Sequence, residues 1–210
     1  MRNLLPFKPA NLVFCTIFLL AASCLAQRPV IVLPAPQTTG GMPLLQALAK
    51  RQTTRAFADK PLTRQQLSNL LWAAFGVNRP REAKPGLGRT APSAMNKQEV
   101  QLYVALEDGV YVYRAEQNQL DLTVPGDQRA KVGPPAAAKA AVTILYVADA
   151  KLDFAQVDTG FIGQNVYLFA ASEGLNAWFY ALHTPDVATT LRLPEGQKPL
   201  FGQSVGYPAQ

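Results

Sequence analysis

The chain has 210 residues, 20 Lys and Arg against 14 Asp and Glu, a formal charge of +6, two cysteines and one histidine. The surplus is mild and no Lys/Arg stripe runs through it, which excludes nucleic acid as the expected partner. Cys15 and Cys24 both fall near the start and His183 stands alone, so the rest of the chain has no disulfide framework, no thiolate nucleophile and no His-rich metal site.

Arg2 and Lys8 give a positive opening, and an apolar run follows over residues 12–22. That layout predicts a secretory signal over 1–26, with an apolar stretch too short to span a bilayer comfortably. Cys24-Leu25-Ala26 suits cleavage before Gln27. Residues 20–24 also resemble a lipobox, in which case Cys24 carries lipid and the protein is held on a membrane. Either route predicts export, to the periplasm or the cell envelope. Residues 27–42 read as a tether: Pro29, Pro34, Pro36 and Gly40-Gly41 prevent helix, and Val30 to Leu33 adds one extended segment. The domain proper is expected over 43–210.

A helix begins at Pro43 and runs into Lys50 and Arg51, with Leu44, Leu45 and Leu48 on one side. A second is better marked. Thr63 and Gln66 have capping-box spacing, Leu67, Leu70, Leu71, Ala74 and Phe75 recur at three and four, and Gly76 can end it. Residues 78–88 form a loop. Val100 to Leu106 alternates as a strand, Glu107-Asp108-Gly109 turns the chain, and Val110 to Tyr113 completes a hairpin. Leu120 to Val124 is a further short strand, and Pro134-Pro135 opens a short Ala-rich helix. Ala141 to Val147 is continuously apolar and rich in β-branched residues, the pattern of a buried strand. Asp158 or Thr159 can cap a long helix ending at Gly174. Its apolar residues, Phe161, Ile162, Val166 and Tyr167 to Ala170, cover nearly the whole circumference, so it is buried at the centre of the domain or against another subunit. Ala177 to Leu182 and Gln203 to Tyr207 are two more strands. The fold class is α+β, one mixed or mostly antiparallel sheet flanked by helices.

Three segments can carry chemistry. In Arg51-Gln52-Thr53-Thr54-Arg55-Ala56-Phe57, two forked guanidinium donors four apart with hydroxyls between them can converge on one phosphate. The same residues also suit a solvated basic helix end. In Arg89-Thr90-Ala91-Pro92-Ser93-Ala94-Met95-Asn96-Lys97-Gln98, small residues let backbone approach a flat ring while Ser93, Asn96 and Gln98 supply polar groups. An ordinary polar loop has that composition too. In the long helix, Gln164 and Asn165 interrupt the apolar surface and require partners. Gly86-Leu87-Gly88 has no strand before it and is too weak to mark a dinucleotide site.

RQTTRAF, RTAPSAMNKQE, DTGFIGQNVYLFAASEGLNAWFYAL and a late GYP, in that order, resemble the nitroreductase family. LLWAAFGVNR and GVYVYRAEQNQLDL are similar to its branch of azoline-oxidising dehydrogenases. The resemblance covers residues 43–208. It implies an FMN held at the interface of an intertwined homodimer. On the family's motifs, Arg51, Gln52, Thr53 and Arg55 hold the phosphate and ribityl chain. Pro92, Ser93, Ala94 and Asn96 lie along the flavin from the partner subunit. The backbone of Tyr180 or Ala181 approaches flavin N5, although the family's usual Pro and Glu are absent there. Basic residues that many members carry after the last strand are also absent. The implied activity is two-electron transfer on a small-molecule substrate with an electron donor the sequence does not name. No acid/base residue is required, and His183 is read as structural. The alternative, kept open because free nicotinamide donors are not expected outside the cytoplasm, is a non-catalytic flavin- or ligand-binding envelope protein.

Overall fold

The computed structural model describes residues 29–79, 88–149, 151, 154–182 and 186–209. The signal segment, both cysteines, Gly86-Leu87 and His183 lie outside these. In chain order the elements are β1 (Val30–Val32), α1 (Leu44–Lys50), α2 (Arg64–Phe75), β2 (Val77–Arg79), β3 (Gly88–Arg89), β4 (Gln101–Leu106), β5 (Gly109–Arg114), β6 (Gln119–Pro125), α3 (Arg129–Val132), β7 (Val142–Asp149), α4 (Ala155–Ser172), β8 (Asn176–Ala181), α5 (Val187–Leu191) and β9 (Gln197–Gly206). Single 3-10 turns occupy Ala94–Asn96 and Pro135–Ala137. Seven strands form one sheet in the order β1-β6-β5-β4-β7-β9-β8, and β2 pairs with β3 apart from it. Every neighbouring pair is antiparallel. Among the described residues no helix is long and apolar enough to cross a membrane.

β7 is an interior strand, between β4 and β9, covered on both faces, which explains its unbroken apolar run. Val142, Ile144, Tyr146 and Ala148 join the core beneath α2 and α4, while Leu145 and Val147 join a second core with Val132, Val187 and Leu191 of α3 and α5. A strand covered on both faces needs apolar residues at both parities. β4 divides the same way, with Leu102 and Val104 on one side and Tyr103 and Ala105 on the other.

α2 begins as its sequence predicts. Gln66 donates its amide to Thr63 Oγ1 at 3.1 Å, and Thr63 donates its amide to Gln66 Oε1 at 3.1 Å. α4 starts earlier than expected. Asp158 and Thr159 lie inside it rather than capping it, because each side chain has another partner: Thr159 Oγ1 donates to the Ala155 carbonyl, and Asp158 accepts from another segment. Its end matches the expectation. Gly174 has φ +67, and the Leu175 amide returns to the Ala170 carbonyl, the left-handed stop that glycine permits. Gly163 lets α4 lie against β8, since a Cβ there would come within 2.8 Å of the Phe179 ring.

The expected loop over 78–88 is partly strand, and the expected tether is docked on the domain. β1 pairs with β6, Leu33 is buried, and the Pro34 carbonyl accepts from Ser68 Oγ and Asn118 Nδ2. Three prolines exclude helix but leave an extended edge strand available.

The sequence also gave no sign of the buried Arg129. Its guanidinium donates to the Ala140 carbonyl at 2.9 Å and to Asp127 Oδ2 at 2.7 Å, closing the excursion between β6 and β7. The Arg129 hydrogen bond holds the Asp127 carboxyl below its ordinary value. A folded-state value below the unfolded one means that the pair stabilises above the unfolded carboxyl's pKa of about 4. The contribution is lost as pH falls through the folded value. Asp127→Asn is therefore expected to flatten the acid limb of thermal stability below about pH 4 relative to wild type. Unfolding midpoints measured over that range check it.

Candidate active site

The arginine segment leaves α1 and runs in extended form along the outer edge of β8. Thr54 donates its amide to the Ala177 carbonyl at 2.9 Å, and the Ala177 amide donates to Thr54 Oγ1 at 3.1 Å. Asn176 Nδ2 donates to the Ala56 carbonyl at 2.6 Å. Phe57 is buried and bridges to Pro208, so the late Gly206-Tyr207-Pro208 lies beside this segment. The segment is thus a fixed strip rather than a frayed helix end.

Arg51 sits over the Tyr167 ring at 5.4 Å and Arg55 over the Trp178 ring at 5.2 Å. Among the described residues no carboxylate pairs with either. Two cations held on aromatic faces, with their donor edges open, suit an anion. Lys50, Arg51, Gln52, Tyr167 and Asn176 line a cavity of about 510 Å³ beneath the strip. A second cavity, about 500 Å³ between residues 37–42 and α1, α2 and α4, holds none of the expected site residues. The first has the charge an anionic ligand requires.

β8 alternates across its length. Ala177 and Phe179 turn their amides outward, to Thr54 and to the Tyr167 hydroxyl, so Trp178 and Tyr180 face β9. By the same period of two, the Ala181 amide points along the outer edge and the Tyr180 amide does not. The Tyr180 side chain is buried, with its hydroxyl 3.0 Å from Ser204 Oγ. Burial pushes that hydroxyl's pKa up, so it stays protonated and is no base.

The second segment is a braced loop. Met95, Asn96 and Gln98 have φ of 51, 53 and 52, left-handed for side chains that rarely adopt it. Four interactions hold this strain. Asp158 takes the Ala94 amide on both carboxylate oxygens, at 3.1 and 3.3 Å. Ser93 Oγ accepts the Gln98 amide at 2.8 Å. Arg89 donates to Gln98 Oε1 at 2.7 Å, and Gln98 donates to Asn96 Oδ1 at 2.8 Å. Such strain gathers at ligand clamps and switches. Asp158→Ala is expected to cost about 1.5–3 kcal/mol of stability, the range for a hydrogen bond to a charged group. Denaturant unfolding of the variant checks the figure.

The structure brings Arg51, Gln52, Thr53 and Arg55 together with β8 and its Tyr180 and Ala181. It does not bring Pro92, Ser93, Ala94 and Asn96 to them. The strip meets α4 at Tyr167, where Thr53 Oγ1 lies 2.9 Å from the hydroxyl, whereas the loop meets α4 at Asp158. Nine residues of helix separate these anchors, about 14 Å along the axis. Asp158, Tyr167, Trp178 and Arg89 brace both halves; the sequence marked Asp158 only as a possible cap, Tyr167 as part of an apolar face and Arg89 as the start of the second segment. Only the appearance of Asp158 and Tyr167 on an apolar helix hinted at them. The Asn165 amide, expected to need a partner, donates to the Ala74 carbonyl at 3.4 Å.

The sequence profile described as the Nitroreductase family matches residues 48–207. The chain belongs to the nitroreductase family. A Methanocaldococcus jannaschii protein bearing a nitroreductase name is 30% identical over 149 residues, 61% of this chain and 73% of that protein. A crystal structure from Ralstonia eutropha under the same family name superposes with a TM-score of 0.80 at 32% identity, covering 100% of this chain and 97% of the other. The NADPH:FMN oxidoreductase of Vibrio harveyi, complexed with NAD+, shares the fold at a TM-score of 0.56 and 21% identity, over 80% of this chain and 69% of its own. Membership in the nitroreductase family makes the chain a flavin-dependent oxidoreductase.

Proposed function

We propose that this oxidoreductase binds FMN between two copies of the chain and passes two electrons between a small-molecule donor and a small-molecule substrate. The observation that carries the reading is the pair of guanidiniums, Arg51 and Arg55, parked on aromatic rings with no carboxylate partner among the described residues, beside the outer edge of β8. That donor set fits a phosphate joined to a flat ring. Arg51 and Arg55 would hold the phosphate dianion and Gln52 would reach the ribityl chain, while Thr53 holds the strip in place through Tyr167. The Ala181 amide, directed along the outer edge of β8, would donate to the ring edge at N5. Pro92, Ser93, Ala94 and Asn96 of the partner subunit would line the ring, because within one chain they stand near the far end of α4. Bound flavin supplies the two-electron chemistry itself. The chain fixes the ring, neutralises the phosphate and keeps the braced loop rigid around the substrate.

The partner subunit is supported by exposed apolar surface. Val157 and Phe161 on the outer face of α4 are 54% and 45% exposed, and Leu45 of α1 is 79% exposed. The helix expected to be buried all round is therefore open on one side within a single chain. The first residues support export, and intact mass of protein taken from the cell envelope is expected to begin at Gln27; a retained Met1 overturns that part, and a lipid on Cys24 replaces it with membrane attachment.

The deciding experiment is the visible spectrum of protein purified from its own compartment, followed by FMN titration. Oxidised-flavin absorbance that a reductant bleaches is the expected result. Protein that stays colourless and takes up no FMN overturns the reading. Protein that takes up FMN yet exchanges electrons with no donor supports a flavin carrier instead.

A further inference from the structure

We propose that Tyr167 is a positioning residue that ties the phosphate end of the flavin site to its ring end, an inference that rests on the FMN reading above. Tyr167 lies on α4, one turn and a half before the helix ends, and three groups from two other segments converge on it. Its hydroxyl is 2.9 Å from Thr53 Oγ1. The same oxygen accepts the outward amide of Phe179 at 2.8 Å. Its ring lies beneath the Arg51 guanidinium at 5.4 Å. One side chain thus meets two residues of the anion strip and the strand edge two residues before Ala181.

Each contact has a separate consequence. The ring keeps Arg51 in place and so reduces the rotamer freedom lost on anion binding. The bond to Thr53 fixes the strip between the two arginines. The bond from Phe179 fills a donor that would otherwise be an open edge amide, and so sets where the end of β8 lies. Trp178 differs: it lies under Arg55, while its own backbone is committed to β9. Tyr167 alone among the described residues joins strip to strand through a side-chain hydroxyl on a helix.

Two variants separate these branches. Thr53→Val cuts only the strip branch, and Tyr167→Phe cuts both hydroxyl bonds while keeping the ring under Arg51. Full-length protein is titrated with FMN and with riboflavin, which lacks the phosphate, and the midpoint potential of bound FMN is measured. Both variants are expected to weaken FMN about five- to tenfold, the scale of one hydrogen bond. Riboflavin affinity should change less than FMN affinity in both. The potential should move in Tyr167→Phe and stay at the wild-type value in Thr53→Val. The double variant should bind FMN no worse than Tyr167→Phe, since the bond is shared. Tyr167→Phe with wild-type FMN affinity and potential overturns the proposal. Equal losses of FMN and riboflavin overturn it too, because general loosening of the fold has no preference for phosphate. If Tyr167→Phe fails to fold, the FMN-against-riboflavin result for Thr53→Val decides alone. Wild-type protein that binds neither flavin defeats the FMN reading itself and is told apart by that control.

Discussion

Leu45→Glu combined with Phe161→Glu is expected to give a folded monomer that no longer retains flavin. Both side chains are exposed in the single chain, so neither substitution empties the core. Leu44 and Leu48 flank Leu45 on α1, Val157 lies one turn before Phe161 on α4 with Phe154 just ahead of that helix, and exposed Met95 lies on the braced loop. Burying a large apolar side chain contributes about 1.5–3 kcal/mol, so several together can hold two subunits. A carboxylate introduced on each face removes part of that contribution and adds the cost of burying a charge. Flavin is lost with the partner because one chain holds the arginine strip at Tyr167 and the braced loop at Asp158, about 14 Å apart along α4. Light scattering at micromolar concentration should show twice the chain mass for wild type and once for the variant. Unchanged far-ultraviolet circular dichroism shows that the fold survives. A variant that stays dimeric, or a monomer that keeps its flavin, sinks the shared site.

Arg55→Ala is expected to weaken FMN binding by about ten- to a hundredfold, and Arg51→Ala by a similar factor. A hydrogen bond to a charged group contributes about 1.5–3 kcal/mol, and 1.4 kcal/mol is a factor of ten in affinity. Arg55 is exposed and Arg51 partly so, each making its contact with a ring and, among the described residues, none with a carboxylate, so the apo fold should barely notice their loss. That distinguishes them from Arg129, whose removal would leave the buried Ala140 carbonyl without its donor. Arg79→Ala, on exposed β2, serves as the control and should bind like wild type. Flavin fluorescence titration gives the affinities, and thermal unfolding run beside it excludes misfolding. Neutral effects at both arginines would leave the family intact and place the phosphate elsewhere.

Local signals proved legible wherever the chain bonds to itself within a few residues. The Thr63/Gln66 capping box, the Gly174 stop and the hairpin through Glu107-Asp108 are all of this kind. The apolar run of β7 was legible because burial on two faces leaves a compositional mark. Strand order was not, since nothing in β8 and β9 says that β9 lies between β8 and β7. Tertiary partners were hidden for the same reason. Asp158 at the start of a helix reads as a cap until the Ala94 amide, 64 residues away, is seen on its carboxylate. Tyr167 reads as one more apolar residue until the strip arrives at its hydroxyl. Of the candidate site, the residue types came through the motifs, whereas their division between the two ends of α4 needed the fold. The choice of Ala181 over Tyr180 needed the pleat of β8, fixed by its bonds to Thr54 and Tyr167.

Outermost strands invite other chains to add to them, because their free amides and carbonyls act as templates. Here β1 is only three residues long, with Pro29 before it and Pro34 shortly after, a poor template at one margin. At the other margin the arginine strip and α4 already occupy the β8 edge, through Thr54 at Ala177 and the Tyr167 hydroxyl at Phe179. The single chain is thereby shielded along both margins. The arginine strip is thus also a guard against aggregation, and variants that loosen it should lose solubility.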